Sequence, residues 1–109
     1  MNKDLRQVTV AEIPEGAIIL DVREDYEWEE GHIEGAKHIP LGEIPVRYGE
    51  VDTDVDVYVI CRSGGRSLRA TAYLNQYGFD VINVISGMGA WQDAEKPMVS
   101  ENGATPQVR

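Results

Sequence analysis

The stretch from Val57 to Ile85, VYVICRSGGRSLRATAYLNQYGFDVINVI, begins and ends with an apolar run rich in β-branched residues. Both runs are short; Val57–Ile60 is continuously apolar and Val81–Ile85 is apolar except for Asn83, which predicts strands that are buried on both faces. Ala17–Val22 has the same character earlier in the chain. Strands of this kind are typical of parallel sheets.

The segment between the two runs, Ser67–Tyr77, has the periodicity of an amphipathic helix. Its apolar residues recur at the spacing i, i+3, i+4 and i+7, namely Ala70, Tyr73, Leu74 and Tyr77. Gly78 follows, and glycine commonly ends a helix. A strand, a helix and a strand within about thirty residues form a βαβ unit, which requires parallel pairing. The sequence therefore predicts an α/β domain.

Weaker patterns predict the remaining elements. Short strands are expected over residues 8–10 and at Ile39, and short helices at Asp25–Glu30, around Pro45–Tyr48 and from Met88 onward. Because the 109 residues suit a single core, one domain is predicted over residues 1–95. Residues 96–109 contain two prolines and little periodicity, and we expect a flexible C-terminal tail there.

Composition excludes several classes of function. Ten basic against nineteen acidic residues give a formal net charge of −9, so nucleic acids and membrane surfaces are not expected partners. Neither a run of ~20 apolar residues nor an apolar signal-peptide core is present, and a cytoplasmic location is the expectation. Since Cys61 is the single cysteine, a disulfide framework is excluded. His32 and His38 lack zinc-site spacing, and no metal or cofactor is expected.

The segment Cys61-Arg62-Ser63-Gly64-Gly65-Arg66-Ser67 carries the candidate chemistry. It follows a predicted buried strand and precedes a helix, which is where sites form in open parallel sheets. The two glycines let the backbone curl with its N–H groups inward, and the helix start adds free N–H groups. With the arginines, these groups favour a thiolate on Cys61, because such settings lower the pKa of a thiol.

The distribution of charge along the chain supports a nucleophilic role for this cysteine. Seven acids lie within residues 21–34 and four within 50–56, whereas residues 57–79 contain none. Arg62, Arg66 and Arg69 therefore form a positive island that would attract an anionic substrate. A lone cysteine is commonly just a small buried apolar residue. That role requires neither a Gly-Gly loop nor flanking arginines, so we prefer the nucleophile hypothesis.

Four patches, in order and suitably spaced from about Val8 to Trp91, together resemble the rhodanese family of sulfurtransferases. They are Leu20-Asp21-Val22-Arg23 with Tyr26 and Trp28, then Gly31-His32-Ile33-Glu34-Gly35-Ala36 with His38-Ile39-Pro40, then Cys61–Ser67, and finally Ser86-Gly87-Met88-Gly89-Ala90-Trp91. The resemblance implies an open parallel sheet with helices on both faces. It also implies transfer of sulfane sulfur by the cysteine.

The resemblance implies a two-step mechanism. The Cys61 thiolate would attack the outer sulfur of a small anionic donor such as thiosulfate, release sulfite and hold a persulfide. The N–H groups of Arg62 to Ser67 would surround the terminal sulfur, and Arg62 and Arg66 are candidates for binding the anion. An external acceptor would then remove the sulfur. That acceptor would be cyanide in an assay, or glutathione, thioredoxin or a sulfur-accepting protein in the cell.

Other polar and aromatic residues of these patches are expected to support the fold. Asp21 and Arg23 are predicted to form an ion pair or hydrogen bonds that brace the active-site loop. The family role of His32 is to fix a turn, and Trp28 and Trp91 are expected to pack. The acidic runs are most simply solvated surface.

One departure from the family's pattern bears on the identity of the sulfur donor. Classical two-domain members have a substrate-binding arginine shortly after the Asp-x-Arg patch, where this chain has Glu24, Asp25 and Glu27. Thiosulfate is then a weaker candidate for the donor, and another persulfide is a stronger one.

Two alternative functions stay open. A persulfide carrier or docking module would share the same loop chemistry. A phosphatase or arsenate reductase would use Cys-x5-Arg, whereas Cys61 and Arg66 are separated by only four residues, a loop length that favours sulfur.

Overall fold

The computed structural model describes residues 5–109, so the first four residues of the predicted domain lie outside it. Over this range the chain forms five strands, β1 Gln7–Val8, β2 Ile18–Asp21, β3 Lys37–His38, β4 Val57–Ile60 and β5 Val81–Val84. Its four α-helices are α1 Asp25–Glu30, α2 Ile44–Arg47, α3 Gly65–Gln76 and α4 Gly87–Asp93. Short 3₁₀ turns lie at Val10–Glu12, Leu41–Glu43 and Tyr48–Glu50.

The strands form one sheet in the order β1-β5-β4-β2-β3, and every neighbouring pair is parallel. Strand β4 lies at the centre, with Val59 beside Leu20 of β2 and Asn83 of β5. All four residues of β4 are buried, as its unbroken apolar run predicts. The predicted α/β fold with an open parallel sheet is therefore confirmed.

Alternate residues of β4 face two separate cores, because successive side chains of a strand point to opposite faces. Val57, Val59 and Cys61 pack with Ala70 and Leu74 of α3. On the other face Tyr58 and Ile60 pack with Met88 and Trp91 of α4. Helices thus cover both faces, and the alternation places Cys61 on the α3 side of the sheet.

Several element boundaries differ from the predicted ones: the short strand expected at Ile39 is β3, Lys37–His38, which ends just before that residue. Two other differences have clear local reasons. Helix α3 begins at Gly65, two residues before the predicted start, because Gly64 adopts a left-handed φ of 110° and turns the chain directly into the helix. The first strand ends at Val8, and the 3₁₀ turn Val10–Glu12 follows it. The Glu12 carboxylate accepts the Thr9 N–H at 2.8 Å, which stabilises the start of that turn.

Residues 96–109 run back across the C-terminal end of α1. Val99 and His32 exchange two backbone hydrogen bonds of 2.8 Å, and the Gln107 N–H donates to the Glu30 carbonyl at 2.9 Å. A side chain at Gly31 would overlap the Gln107 backbone, so glycine permits this close approach. The segment has a defined course beside α1, and its predicted flexibility stays a prediction. No helix within residues 5–109 is long and apolar enough to cross a membrane.

Candidate active site

The Cys61 sulfur lies directly after β4 and is held by the loop that follows it. The residue is 1% exposed. Its Sγ accepts a hydrogen bond from the Gly64 N–H at 3.1 Å and lies 3.4 Å from Ser67 Oγ. Gly64 has a left-handed φ, and a Cβ there would lie 3.2 Å from the Ser86 nitrogen. The predicted glycine turn therefore wraps the backbone around the sulfur.

The loop lowers the pKa of the Cys61 thiol below its ordinary value. Burial raises this pKa, but hydrogen bonds from the Ser67 side chain and from the N–H groups of Ser67, Gly64 and Ser63 together outweigh it. These donors stabilise the thiolate because they carry positive partial charge toward the sulfur. A thiolate is the nucleophilic form of cysteine.

The first turn of α4 donates hydrogen bonds to the backbone of the loop. The Met88 N–H donates to the Cys61 carbonyl at 2.7 Å, and the Gly89 N–H donates to the Arg62 carbonyl at 3.0 Å. Gly87 has a positive φ of 48°, and a Cβ there would overlap the Cys61 carbonyl oxygen. This role was not predicted from the residues themselves, although the Gly-Met-Gly spacing after a buried strand was a visible signal.

The loop arginines are already engaged with other parts of the chain. Arg66 forms a bidentate ion pair with Glu27 of α1, at 2.7 and 2.9 Å. Arg62 is exposed, and its Nε donates to the Arg109 carbonyl at 2.7 Å. Glu27 is only 4% exposed, which corrects the expectation that the acids of this run are solvated surface. Burial is tolerated there because the carboxylate is fully paired.

Asp21 and Arg23 form a buried pair beside the loop. Arg23 donates to the Asp21 carboxylate through Nη2 at 2.8 Å and Nε at 3.0 Å, and Nη2 also donates to the Gly31 carbonyl at 2.8 Å. The pair thus joins the end of β2 to the end of α1. Helix α1 in turn carries Glu27, the partner of Arg66. Asp21 and Arg23 thus form an ion pair, and their bracing of the active-site loop stays a prediction.

The two histidines enclose Trp28. The Trp28 ring stacks on His32 and His38, with centroid distances of 3.5 and 4.6 Å. His32 Nε2 lies 2.6 Å from the Glu101 carboxylate, and His38 Nε2 lies 2.7 Å from the Arg23 carbonyl. These contacts orient a turn and anchor the C-terminal segment.

A groove of about 400 Å³ opens beside the loop. Its charged lining residues are Glu24, Arg66 and Arg69, and the rest of the lining, which is mostly apolar, includes Leu41, Ile44, Pro45 and Tyr73. This groove could admit a substrate next to the first turn of α3. Within residues 5–109 no group of three metal-ligating side chains is arranged to hold an ion.

Substituting Glu27 with glutamine is expected to remove a pH-dependent part of the stability. Burial raises the pKa of the Glu27 carboxyl, but the hydrogen bonds from Arg66 and from the Glu24 backbone together lower it by more. The pKa of Glu27 therefore lies below its ordinary 4.5. The stabilisation is therefore complete above pH 4.5 and is lost as the pH falls through the folded-state pKa. Urea unfolding of both proteins from pH 7 to pH 3 measures this, and parallel profiles would contradict the ion pair.

The chain is similar to known sulfur-transfer domains along most of its length. The family model described as Rhodanese-like domain matches residues 6–94. A protein of Allochromatium vinosum named sulfurtransferase is 39% identical over 90 residues, which cover 82% of this chain and 84% of that protein. The thiosulfate sulfurtransferase GlpE of Pseudomonas putida (strain F1) is 35% identical over 79 residues, 72% of each chain. The crystal structure of a rhodanese-related protein from Thermoplasma volcanium superposes with a TM-score of 0.82 at 31% identity, covering 86% of this chain and 97% of that one.

Proposed function

The chain belongs to the rhodanese-like sulfurtransferase family, and we propose that it moves sulfane sulfur from an anionic donor to a thiol through a persulfide on Cys61. The observation that carries this proposal is the polar surroundings of Cys61 Sγ, to which the Gly64 N–H donates at 3.1 Å and from which Ser67 Oγ lies 3.4 Å away. They favour the thiolate, which is the form that attacks a sulfur donor.

In the first step the Cys61 thiolate attacks the outer sulfur of the donor. With thiosulfate, a bond forms between Sγ and that sulfur, the donor S–S bond breaks, and its electron pair leaves with sulfite. The negative charge then resides on the outer sulfur of the persulfide. The N–H groups of Ser63, Gly64 and Ser67, which already face the thiolate, support this charge by the same electrostatic stabilisation.

In the second step an acceptor thiolate attacks the outer sulfur. The bond between that sulfur and Sγ breaks, and Cys61 leaves as a thiolate. The lowered pKa of Cys61 assists this step, because a thiol of lower pKa is a better leaving group. The sequence contains no second cysteine, so the acceptor is another molecule. Glutathione, thioredoxin or a sulfur-accepting protein would serve, and the cytoplasm, which keeps such thiols reduced, is the location we propose.

The identity of the donor depends on the charge around the loop. The name of the P. putida relative supports thiosulfate. Two observations disfavour thiosulfate as the donor. The Arg66 guanidinium is already paired with Glu27, and the carboxylates of Glu24 and Asp25 are exposed at the start of α1.

The pairing of Arg66 with Glu27 favours a second candidate function, that of a persulfide carrier. Such a chain would accept sulfur from a persulfide that carries less charge than thiosulfate, and it would turn over thiosulfate slowly.

Steady-state kinetics with thiosulfate and cyanide tests the two-step proposal. Because sulfite leaves before cyanide reacts, double-reciprocal plots at several cyanide concentrations are expected to be parallel. Intersecting lines would contradict a covalent intermediate. Glutathione persulfide as a second donor separates the two candidates. An enzyme turns over either donor many times, whereas a carrier takes up one sulfur per chain rapidly and releases it slowly to small acceptors.

A further inference from the structure

A chain of hydrogen bonds connects the edge strand β1 with the Cys61 sulfur. Gln7 Oε1 on β1 accepts from Asn83 Nδ2 on β5 at 2.9 Å. Asn83 Oδ1 lies 2.5 Å from Ser67 Oγ, which lies 3.4 Å from Cys61 Sγ. Asn83 is 2% exposed and Ser67 is fully buried. Asn83 interrupts an otherwise apolar strand, and burying an amide is costly unless its hydrogen bonds are satisfied. The two transfer steps described above do not use it.

The Ser67 hydroxyl has one proton and several acceptors within reach. They are Asn83 Oδ1 at 2.5 Å, the Gly64 carbonyl at 3.2 Å and Cys61 Sγ at 3.4 Å. Since the amide oxygen cannot donate, the short contact with Asn83 requires the Ser67 proton. A Cys61 thiol can then donate its own proton to Ser67 Oγ. A thiolate has no proton to donate, so Ser67 must turn its hydroxyl away from Asn83 to bind it.

We propose that Asn83, oriented by Gln7, is a positioning residue that holds the Ser67 hydroxyl proton while Sγ is neutral and yields it when Sγ carries charge. In the cycle of the proposed function, which this part of the inference rests on, Sγ is neutral in the thiol and in the persulfide. It is charged just before attack and just after discharge. The hydrogen bond from Ser67 thus follows the charge, and Asn83 competes with the thiolate for the same proton.

Gln7 sets which end of the Asn83 amide faces Ser67. Its Oε1 binds the Asn83 NH₂ group, which leaves Oδ1 directed at the hydroxyl. Without Gln7 the amide is free to rotate and present its NH₂ group to Ser67 Oγ. The Ser67 proton would then be available to the sulfur. Gln7 is exposed on an edge strand, so its replacement leaves the core intact.

The charged surroundings of Cys61 stay constant in a test of this competition. Arg66, paired with Glu27, interacts electrostatically with Cys61. Arg62 and Arg69 flank the loop in sequence. None of these residues is changed in the variants described below, so a shift in the titration of Cys61 reports on the hydrogen bonds alone.

The test is the pH dependence of Cys61 alkylation by iodoacetamide. In Asn83→Leu the midpoint is expected to fall by roughly half a pH unit, the shift that corresponds to one modest hydrogen bond. Gln7→Ala is expected to lower it in the same direction. Ser67→Ala is expected to raise the midpoint, and adding Asn83→Leu to Ser67→Ala to cause no further change.

Thr71→Val is the matched control. Thr71 Oγ1 is also buried in α3 and donates to the Ser67 carbonyl at 2.8 Å, but it does not contact the sulfur. Its substitution is expected to leave the midpoint unchanged. A midpoint that rises or stays constant in folded Asn83→Leu overturns the proposal, as does an effect of Asn83 that persists without Ser67. If Asn83→Leu does not fold, an unchanged midpoint in Gln7→Ala overturns it. Alkylation requires no sulfur donor, so this outcome is independent of the proposed function.

Discussion

Replacing Cys61 with serine is expected to reduce thiocyanate formation from thiosulfate and cyanide by roughly 10⁴-fold or more, as loss of a covalent nucleophile does in other enzymes. A serine hydroxyl stays protonated at neutral pH and forms no persulfide. The substitution is nearly isosteric, and the Gly64 N–H that now donates to Sγ can donate to the hydroxyl oxygen instead. The variant should therefore fold, which its circular dichroism spectrum and urea midpoint would verify.

Ser63→Ala is the matched control for this loss. Ser63 lies in the same loop and is exposed, and it acts on the sulfur through its backbone N–H, which alanine retains. The Ser63→Ala protein is expected to form thiocyanate at a rate within about tenfold of that of the unmodified chain, because no group that acts directly in catalysis is lost. A Cys61→Ser protein that retains a comparable rate would contradict the role of the thiolate.

Arg23→Met is expected to destabilise the fold by about 3–5 kcal/mol, the cost of removing one partner from a buried ion pair. Both side chains of the pair are almost fully buried. The substitution leaves the Asp21 carboxylate without its guanidinium and the Gly31 carbonyl without a donor. Because total stabilities are about 5–15 kcal/mol, a loss of this size is a large fraction of the whole. The change in the urea midpoint at pH 7 measures it.

Arg6→Met provides the comparison with an exposed pair. Arg6 binds Asp56 at 3.1 Å, but both side chains are about half exposed, and such pairs contribute about 0–1 kcal/mol. The double variant Asp21→Leu with Arg23→Met is expected to recover much of the lost stability, since no unpaired charge is left in the core. A loss in Arg23→Met no greater than in Arg6→Met would show that the pair does not brace β2 and α1.

The sheet and the loop were predictable because both are local in sequence. Val57–Ile60 and Val81–Val84 are continuously apolar or nearly so, and a buried strand needs only that pattern. The βαβ unit places Cys61 at the carboxyl end of β4 without further information. The curl around the sulfur followed from Gly64 and Gly65.

Contacts between distant segments could not be derived in this way. Glu27 and Arg66 are 39 residues apart, and nothing in the acidic run distinguishes Glu27 from its exposed neighbours. The bridge between His32 and Val99 likewise depends on how the C-terminal segment passes α1. The pairing of Asn83 with Ser67 left a weak signal, since a single amide interrupts the buried strand β5, but the identity of its partner required the structure.

The most direct measurement of the central claim is the mass of the intact protein after incubation with thiosulfate or glutathione persulfide. The predicted result is a gain of one sulfur atom that is absent in Cys61→Ser and is removed when cyanide is added. Uptake from glutathione persulfide alone would assign the donor to that class and keep Cys61 as the site. A chain that gains no sulfur from either donor, or that gains it equally in Cys61→Ser, would contradict a persulfide on Cys61.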